Sequence, residues 1–230
     1  MKKLRLGVIG AGSYTIMSHL PNLQKWSDKI DFTAVSRLEE APLERIKDRF
    51  GFARATTEWR EVLEAHPDLV IVGSPARFHH EQVKAALEAG AHVMCEKPFT
   101  IEPRDAWDLD ATAKALDRHL VLSLGRNYLA VVLQAKKLMT DDGGIGDVEQ
   151  MTVHMASVHR ELLRGDTGVH PSSAPDSSPN TATWTDPEIS GGGYGQGQLS
   201  HLLGVALWLT ELRGQEVSAL MSSPLKTDVE

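Results

Sequence analysis

A single cysteine, Cys95, stands in 230 residues, which excludes an intrachain disulfide and points to a reducing compartment. No run of basic residues occurs, and 24 Lys and Arg against 31 Asp and Glu leave a net charge of −7. That balance excludes a general binder of nucleic acid or anionic membrane. No window approaches the ~18 apolar residues of a membrane-crossing helix. The opening Met1-Lys2-Lys3-Leu4-Arg5-Leu6 imitates the basic start of a secretory leader. Arg5 interrupts its apolar stretch, however, and Gly7, Gly10 and Gly12 punctuate it. Cytoplasmic localisation is the expectation. Histidine and cysteine form no group with metal-ligand spacing, so no metal is expected. No internal repeat is visible.

What is present is an alternation. Hydrophobic residues make up 41% of the chain, enough for a core that needs no disulfide or metal staple. Short apolar runs at Leu4–Ile9, Phe32–Ser36, Leu69–Val72, His92–Cys95 and Leu120–Leu124 read as strands. Amphipathic segments at Pro42–Phe50, Glu58–Ala65, Phe78–Ala89 and Pro103–Arg118 read as helices between them. Strands alternating with such helices imply βαβ units and a parallel sheet with helices on both faces. The expected fold class is therefore α/β, with a Rossmann-type domain over residues 1–125.

Residues 126–230 read differently, as a partial α+β domain with an open, mostly antiparallel sheet. Tyr128–Met139 and Leu199–Leu212 suit helices, and Glu216–Met221 suits a strand. Asp147–His159 alternates Met151, Val153 and Met155 with polar residues, the pattern of a sheet buried on one face. Gly165–Ser190, rich in proline and serine, is expected to be a functional lid or a disordered segment. Two strands make thin cover for a sheet, so a longer protein cut short is expected.

The first strand runs directly into Gly10-Ala11-Gly12-Ser13-Tyr14-Thr15. Two glycines after a strand allow a tight turn and close approach to a pyrophosphate, which the following helix start attracts. Thr15 replaces the third glycine of the dinucleotide fingerprint. The second strand ends in Ser36-Arg37 rather than the carboxylate that holds a ribose hydroxyl. A serine and a guanidinium suit a 2′-phosphate and favour NADP over NAD. Alternatively, Arg37 begins a solvated turn leading to Glu39-Glu40.

The segments Gly73-Ser74-Pro75, His79-His80, Ala86-Leu87-Glu88-Ala89-Gly90, His92-Val93 and Cys95-Glu96-Lys97-Pro98 together resemble the Gfo/Idh/MocA oxidoreductase family. The resemblance covers residues 4–127 and resumes at Gly191-Gly192-Gly193 and His201. It implies an NAD(P)-dependent dehydrogenase or reductase acting on CH–OH groups, moving a hydride between nicotinamide and a secondary alcohol or ketone. The implied partner is a sugar, polyol or related small molecule, and the implied assembly a homo-oligomer through the C-terminal sheet. Carried over by position, Gly10, Gly12, Ser13 and Tyr14 fall in the phosphate loop, and Ser74, Pro75, His79 and Glu96 meet the cofactor. Lys97 matches the catalytic lysine, and His201 the histidine that faces it. Asn127 and Gln198 are further substrate-contact candidates. Trp184 either covers a sugar face or anchors its loop to the core.

The chain also departs from the family pattern. Many members carry an aspartate four residues before the histidine and another three residues after it; here Gly197 and Gly204 occupy those places. An Asp/His proton relay is excluded there, leaving Lys97 and His201. The alternative from another class is a non-catalytic, nucleotide-binding regulator on the same fold.

Overall fold

The structure is a computed structural model that describes residues 2–141, 144–156, 186–192 and 194–220. Strands β1 (Leu4–Ile9), β2 (Ile30–Ser36), β3 (Arg54–Thr56), β4 (Leu69–Val72), β5 (His92–Cys95) and β6 (Leu120–Leu122) form one sheet. Its order is β3-β2-β1-β4-β5-β6 and every pairing is parallel. The strand order reverses direction between β1 and β4, the switch point at which open α/β sheets bind ligands.

Each apolar run serves both faces of the sheet. In β1 and β4, Ile9, Val70 and Val72 join one buried cluster, whereas Leu6, Val8 and Ile71 join the other. The first cluster is covered by α3 (Arg60–Leu63), α4 (Ala76–Glu88) and α5 (Pro103–Ala115) through Val62, Val83, Leu87 and Leu109. The second is covered by a π-helical turn (Thr15–His19), α1 (Leu20–Gln24) and α2 (Glu40–Phe50) through Ile16, Leu20, Leu43 and Ile46. Continuous apolar strands are what two covered faces require. Gly7 is a packing glycine: a Cβ there would lie 2.7 Å from Val62 Cγ1. Cys95 is fully buried in the first cluster, a small core residue.

The reading over residues 4–122 holds with small corrections. Strand β3 went unforeseen because it has three residues on a sheet edge. Strand β6 stops at Leu122, and the chain then turns into a 3₁₀ segment at Gly125–Tyr128.

After that turn the described residues contain α6 (Ala130–Thr140), α7 (Pro187–Ser190) and α8 (Tyr194–Thr210). The strands expected at Asp147–His159 and Glu216–Met221 are not formed over their described parts, 147–156 and 216–220. Alternation specifies a face but not a partner, and a strand without a ladder has nowhere to place its backbone groups. The lid or disordered segment expected at Gly165–Ser190 falls mostly outside the described residues, as does Trp184. No described helix is long and apolar enough to cross a membrane.

Candidate active site at the carboxyl edge of the sheet

The phosphate loop follows β1 at the switch point. Gly10 has φ +77°, and a Cβ there would lie 2.5 Å from Ser74 N, so only glycine lets the loop pass this close. Among the described residues a Cβ on Gly12 would meet only Gly73 O, at 3.8 Å, so its outer side has room for a pyrophosphate. Thr15 is accommodated from across the sheet: it is buried, and a Cβ on Gly73 would lie 2.4 Å from its Oγ1. The missing third glycine is thus replaced by one on the neighbouring loop.

At the tip of β2 the two candidates part. The Ser36 hydroxyl is buried and donates to Val8 O at 3.4 Å, turned away from the open side. Arg37 lies over the loop instead, its Nη1 donating to Ala11 O at 3.3 Å and its Nε to Glu39 Oε2 at 2.7 Å. The Arg37 guanidinium holds the Glu39 carboxyl below the usual range, against the opposing effect of burial.

The loop after β4 is tied inward. The Ser74 hydroxyl donates to Gln82 Oε1 at 2.5 Å, and Pro75 precedes α4. His79 is buried, with Nε2 2.6 Å from Ser74 O and Nδ1 2.9 Å from Phe99 O. Both ring nitrogens face backbone carbonyls, and burial favours the neutral ring, which donates through one of them. The imidazole expected at the cofactor lies between the loop after β4 and the loop after β5 and bridges them.

Lys97 lies two residues beyond the end of β5. It is largely buried, and its Nζ donates to the backbone carbonyl of Gly197 in α8 at 3.1 Å. Where a family carboxylate was expected, a main-chain oxygen receives the lysine. Burial lowers the Lys97 pKa, the Glu96 carboxylate opposes that, and the Arg126 charge adds to it. Gly197 and His201 are four residues apart in α8, about one turn, so the lysine reaches this helix beside the histidine. His201 is pushed down to about 4 by burial and by the charges of Lys97 and Arg126. It is neutral at pH 7, and its buried Nδ1 has no hydrogen-bond partner among the described residues.

Beside His201 lies a cavity of about 190 Å³, lined by Arg126, Val153, His154 and Met155 among others. A single water needs roughly 10–15 Å³ of such space, so a small polyol fits. Arg126 escaped the sequence reading because it belongs to no periodic pattern or spaced motif, and His154 was read only as a polar position of the alternating segment Asp147–His159. Asn127 is buried and joins two elements, its Nδ2 donating to Gly204 O at 3.3 Å. Gly204 allows this approach, since a Cβ there would lie 2.9 Å from Leu124 Cδ1. Gln198 is buried in α8. Ser13 is half-buried, and Tyr14 is exposed, with its ring edge-on to His19 at 5.2 Å. Among the described residues no His, Cys, Asp and Glu group could hold a metal.

D-glucoside 3-dehydrogenase of Escherichia coli is 32% identical over 193 residues, covering 83% of this chain and 49% of its own length. The WlbA dehydrogenase of Chromobacterium violaceum, solved with NADH and UDP-GlcNAcA, is 28% identical with a TM-score of 0.56, covering 60% of this chain and 40% of that one. A 3-ketoreductase from Actinomadura kijaniata, solved with NADP and TDP-benzene, is 30% identical with a TM-score of 0.56, covering 64% and 44%. The chain spans about half the length of the curated relatives it matches. Residues 4–124 match the oxidoreductase family with an NAD-binding Rossmann fold. The chain belongs to that family, Gfo/Idh/MocA.

Proposed function

We propose that the protein is an NAD(P)-dependent dehydrogenase or reductase of a sugar or polyol, with Lys97 as the proton-transfer group. The observation that carries this reading is the meeting of Lys97 with α8 one turn from His201, at the carboxyl edge of the sheet. The open side of Gly12 and the start of the helical turn suit a pyrophosphate, with Ser13, Tyr14, Ser74 and Pro75 around it. Arg37 makes NADP the preferred cofactor: its Glu39 partner is 53% exposed, and a 2′-phosphate can displace it.

A bound nicotinamide supplies the hydride acceptor or donor. The chain's own residues handle the proton. A hydride leaves a carbinol carbon readily only as the hydroxyl proton departs. A lysine amine with a lowered pKa is suited to take that proton and return it in the reverse direction. Neutral His201 borders the cavity and adds no charge to it, and Arg126 and His154 hold substrate hydroxyls there.

The test is nicotinamide absorbance with a panel of polyols and sugars, offered with NAD and with NADP. Turnover with at least one, faster with NADP, is expected. Cofactor binding without turnover on any substrate would favour the regulator. Arg37→Asp should weaken NADP binding and improve NAD binding, read by calorimetry.

A further inference from the structure

Lys97 is preceded by a buried carboxylate that the proton transfer does not use. Glu96 Oε1 accepts a hydrogen bond from His19 Nε2 at 2.6 Å, with only 13% and 10% of the His19 and Glu96 side chains exposed. Its Oε2 accepts the backbone N–H of Lys97 at 3.1 Å, and the Ser123 hydroxyl beyond β6 donates to the same group. The carboxylate expected to touch the cofactor is thus engaged within the protein.

His19 comes from the other side of the site. It closes the π-helical turn that begins just after the phosphate loop, where the Leu20 N–H bonds to Thr15 O. This i→i+5 turn is wider than an α-helical one, and such turns cluster at functional sites. The edge of Tyr14, itself in the phosphate loop, packs on the imidazole. A chain of contacts therefore runs Tyr14, His19, Glu96, Lys97, Gly197.

We propose that His19 is a positioning residue for Lys97: through Glu96 it fixes the orientation and charge of the carboxylate beside the lysine and links it to the phosphate loop. The inference rests on the dehydrogenase reading of Lys97 but makes a separate demand. Burial favours the neutral acid of Glu96, and the hydrogen bonds from His19, Ser123 and the Lys97 N–H outweigh it, keeping the carboxyl below its usual range. Among the described residues, Glu96 and Arg126 are charged groups that face Lys97, with His201 across from them on α8. Glu96 is the one of these that supports the ammonium. Without the imidazole, Glu96 moves toward its neutral form and Lys97 loses that support.

The experiment uses the whole chain with isotope-labelled lysine, the Lys97 signal being assigned by its loss in Lys97→Arg. Its titration is followed by NMR in wild type, His19→Ala, His19→Gln and Glu96→Gln. Lys97 should titrate at lower pH in His19→Ala and in Glu96→Gln, and return toward wild type in His19→Gln, whose amide can donate to the carboxylate. An unchanged Lys97 titration in His19→Ala overturns the proposal. If His19→Ala fails to fold, an unchanged titration in Glu96→Gln does so. This readout needs no turnover, so it stands apart from failure of the dehydrogenase reading. Where turnover is measured, His19→Ala should lower kcat about ten- to hundredfold, with the lysine limb of the pH profile moved to lower pH and the cofactor KM unchanged. A loss in KM alone would also overturn it.

Discussion

The sheet buries two apolar clusters, one on each face, whereas α6 buries no residue, and Asn127 and Gln198 are the buried residues described after Leu122. In α8, Leu199, Leu203 and Leu207 are 44–48% exposed at four-residue spacing. The two regions are held by different forces. The sheet is stabilised by area removed from water. The later elements are joined by a few directed bonds: Lys97 to Gly197 ties α8 to the end of β5, while Asn127 to Gly204 and Lys136 to the end of α8 tie the later elements to one another. Two of these three lie at the candidate site. The candidate site thus lies where the packed sheet meets the region with the least packing of its own.

The contrast can be broken most directly in the core. Leu87→Ala removes a fully buried side chain and should cost about 2–5 kcal/mol. Leu133→Ala on α6, where the residue is 45% exposed, should stay within about ±0.5 kcal/mol. Comparable losses in urea unfolding would remove the distinction.

Directed bonds should matter locally. Lys136 Nζ donates to Trp208 O at 3.0 Å and Leu209 O at 3.2 Å, satisfying carbonyls that a helix end leaves unpaired. Lys136→Met should cost about 1 kcal/mol, read as faster hydrogen exchange in the last turn of α8 with β1 and β4 unchanged. Gly197→Ala acts in the opposite sense. Among the described residues nothing lies within 4 Å of a Cβ there, so the helix should gain about 0.5–1 kcal/mol, raising the unfolding midpoint.

The smallest effect belongs to an ion pair across the sheet. Arg5 Nη2 and Nε donate to the two oxygens of Asp68, whose pKa is lowered from 3.8 to about 2, first by these side-chain hydrogen bonds. A depressed carboxyl stabilises the fold above its unfolded pKa. That contribution should disappear as pH falls from about 3.8 toward 2. Asp68→Asn should flatten this part of the stability profile and leave α6 and α8 exchange unaffected.

The sheet was legible because strands covered on both faces leave uninterrupted apolar runs, and β1, β4 and β5 begin and end where those runs do. The glycines of the phosphate loop were legible because a tight turn after a strand has few other solutions. Gly73 was not seen to answer Thr15, because that fit is made between loops on different strands. The His19–Glu96 bond spans 77 residues and the Lys97–Gly197 bond 100, and neither follows a periodicity. Gly197, moreover, acts through a carbonyl that every residue possesses. The alternation at 147–156 misled because it records which side chains share a face and says nothing of a neighbouring strand.

The claim that joins both regions is that Lys97 works at their meeting point while the phosphate loop binds cofactor independently. Kinetics and cofactor calorimetry on Lys97→Ala, with His201→Ala beside it, test this most directly. kcat should fall by about 10²–10⁴-fold in Lys97→Ala, and severely in His201→Ala, with the cofactor Kd nearly unchanged in both. Full turnover in Lys97→Ala, or loss of cofactor binding in step with activity, would contradict it.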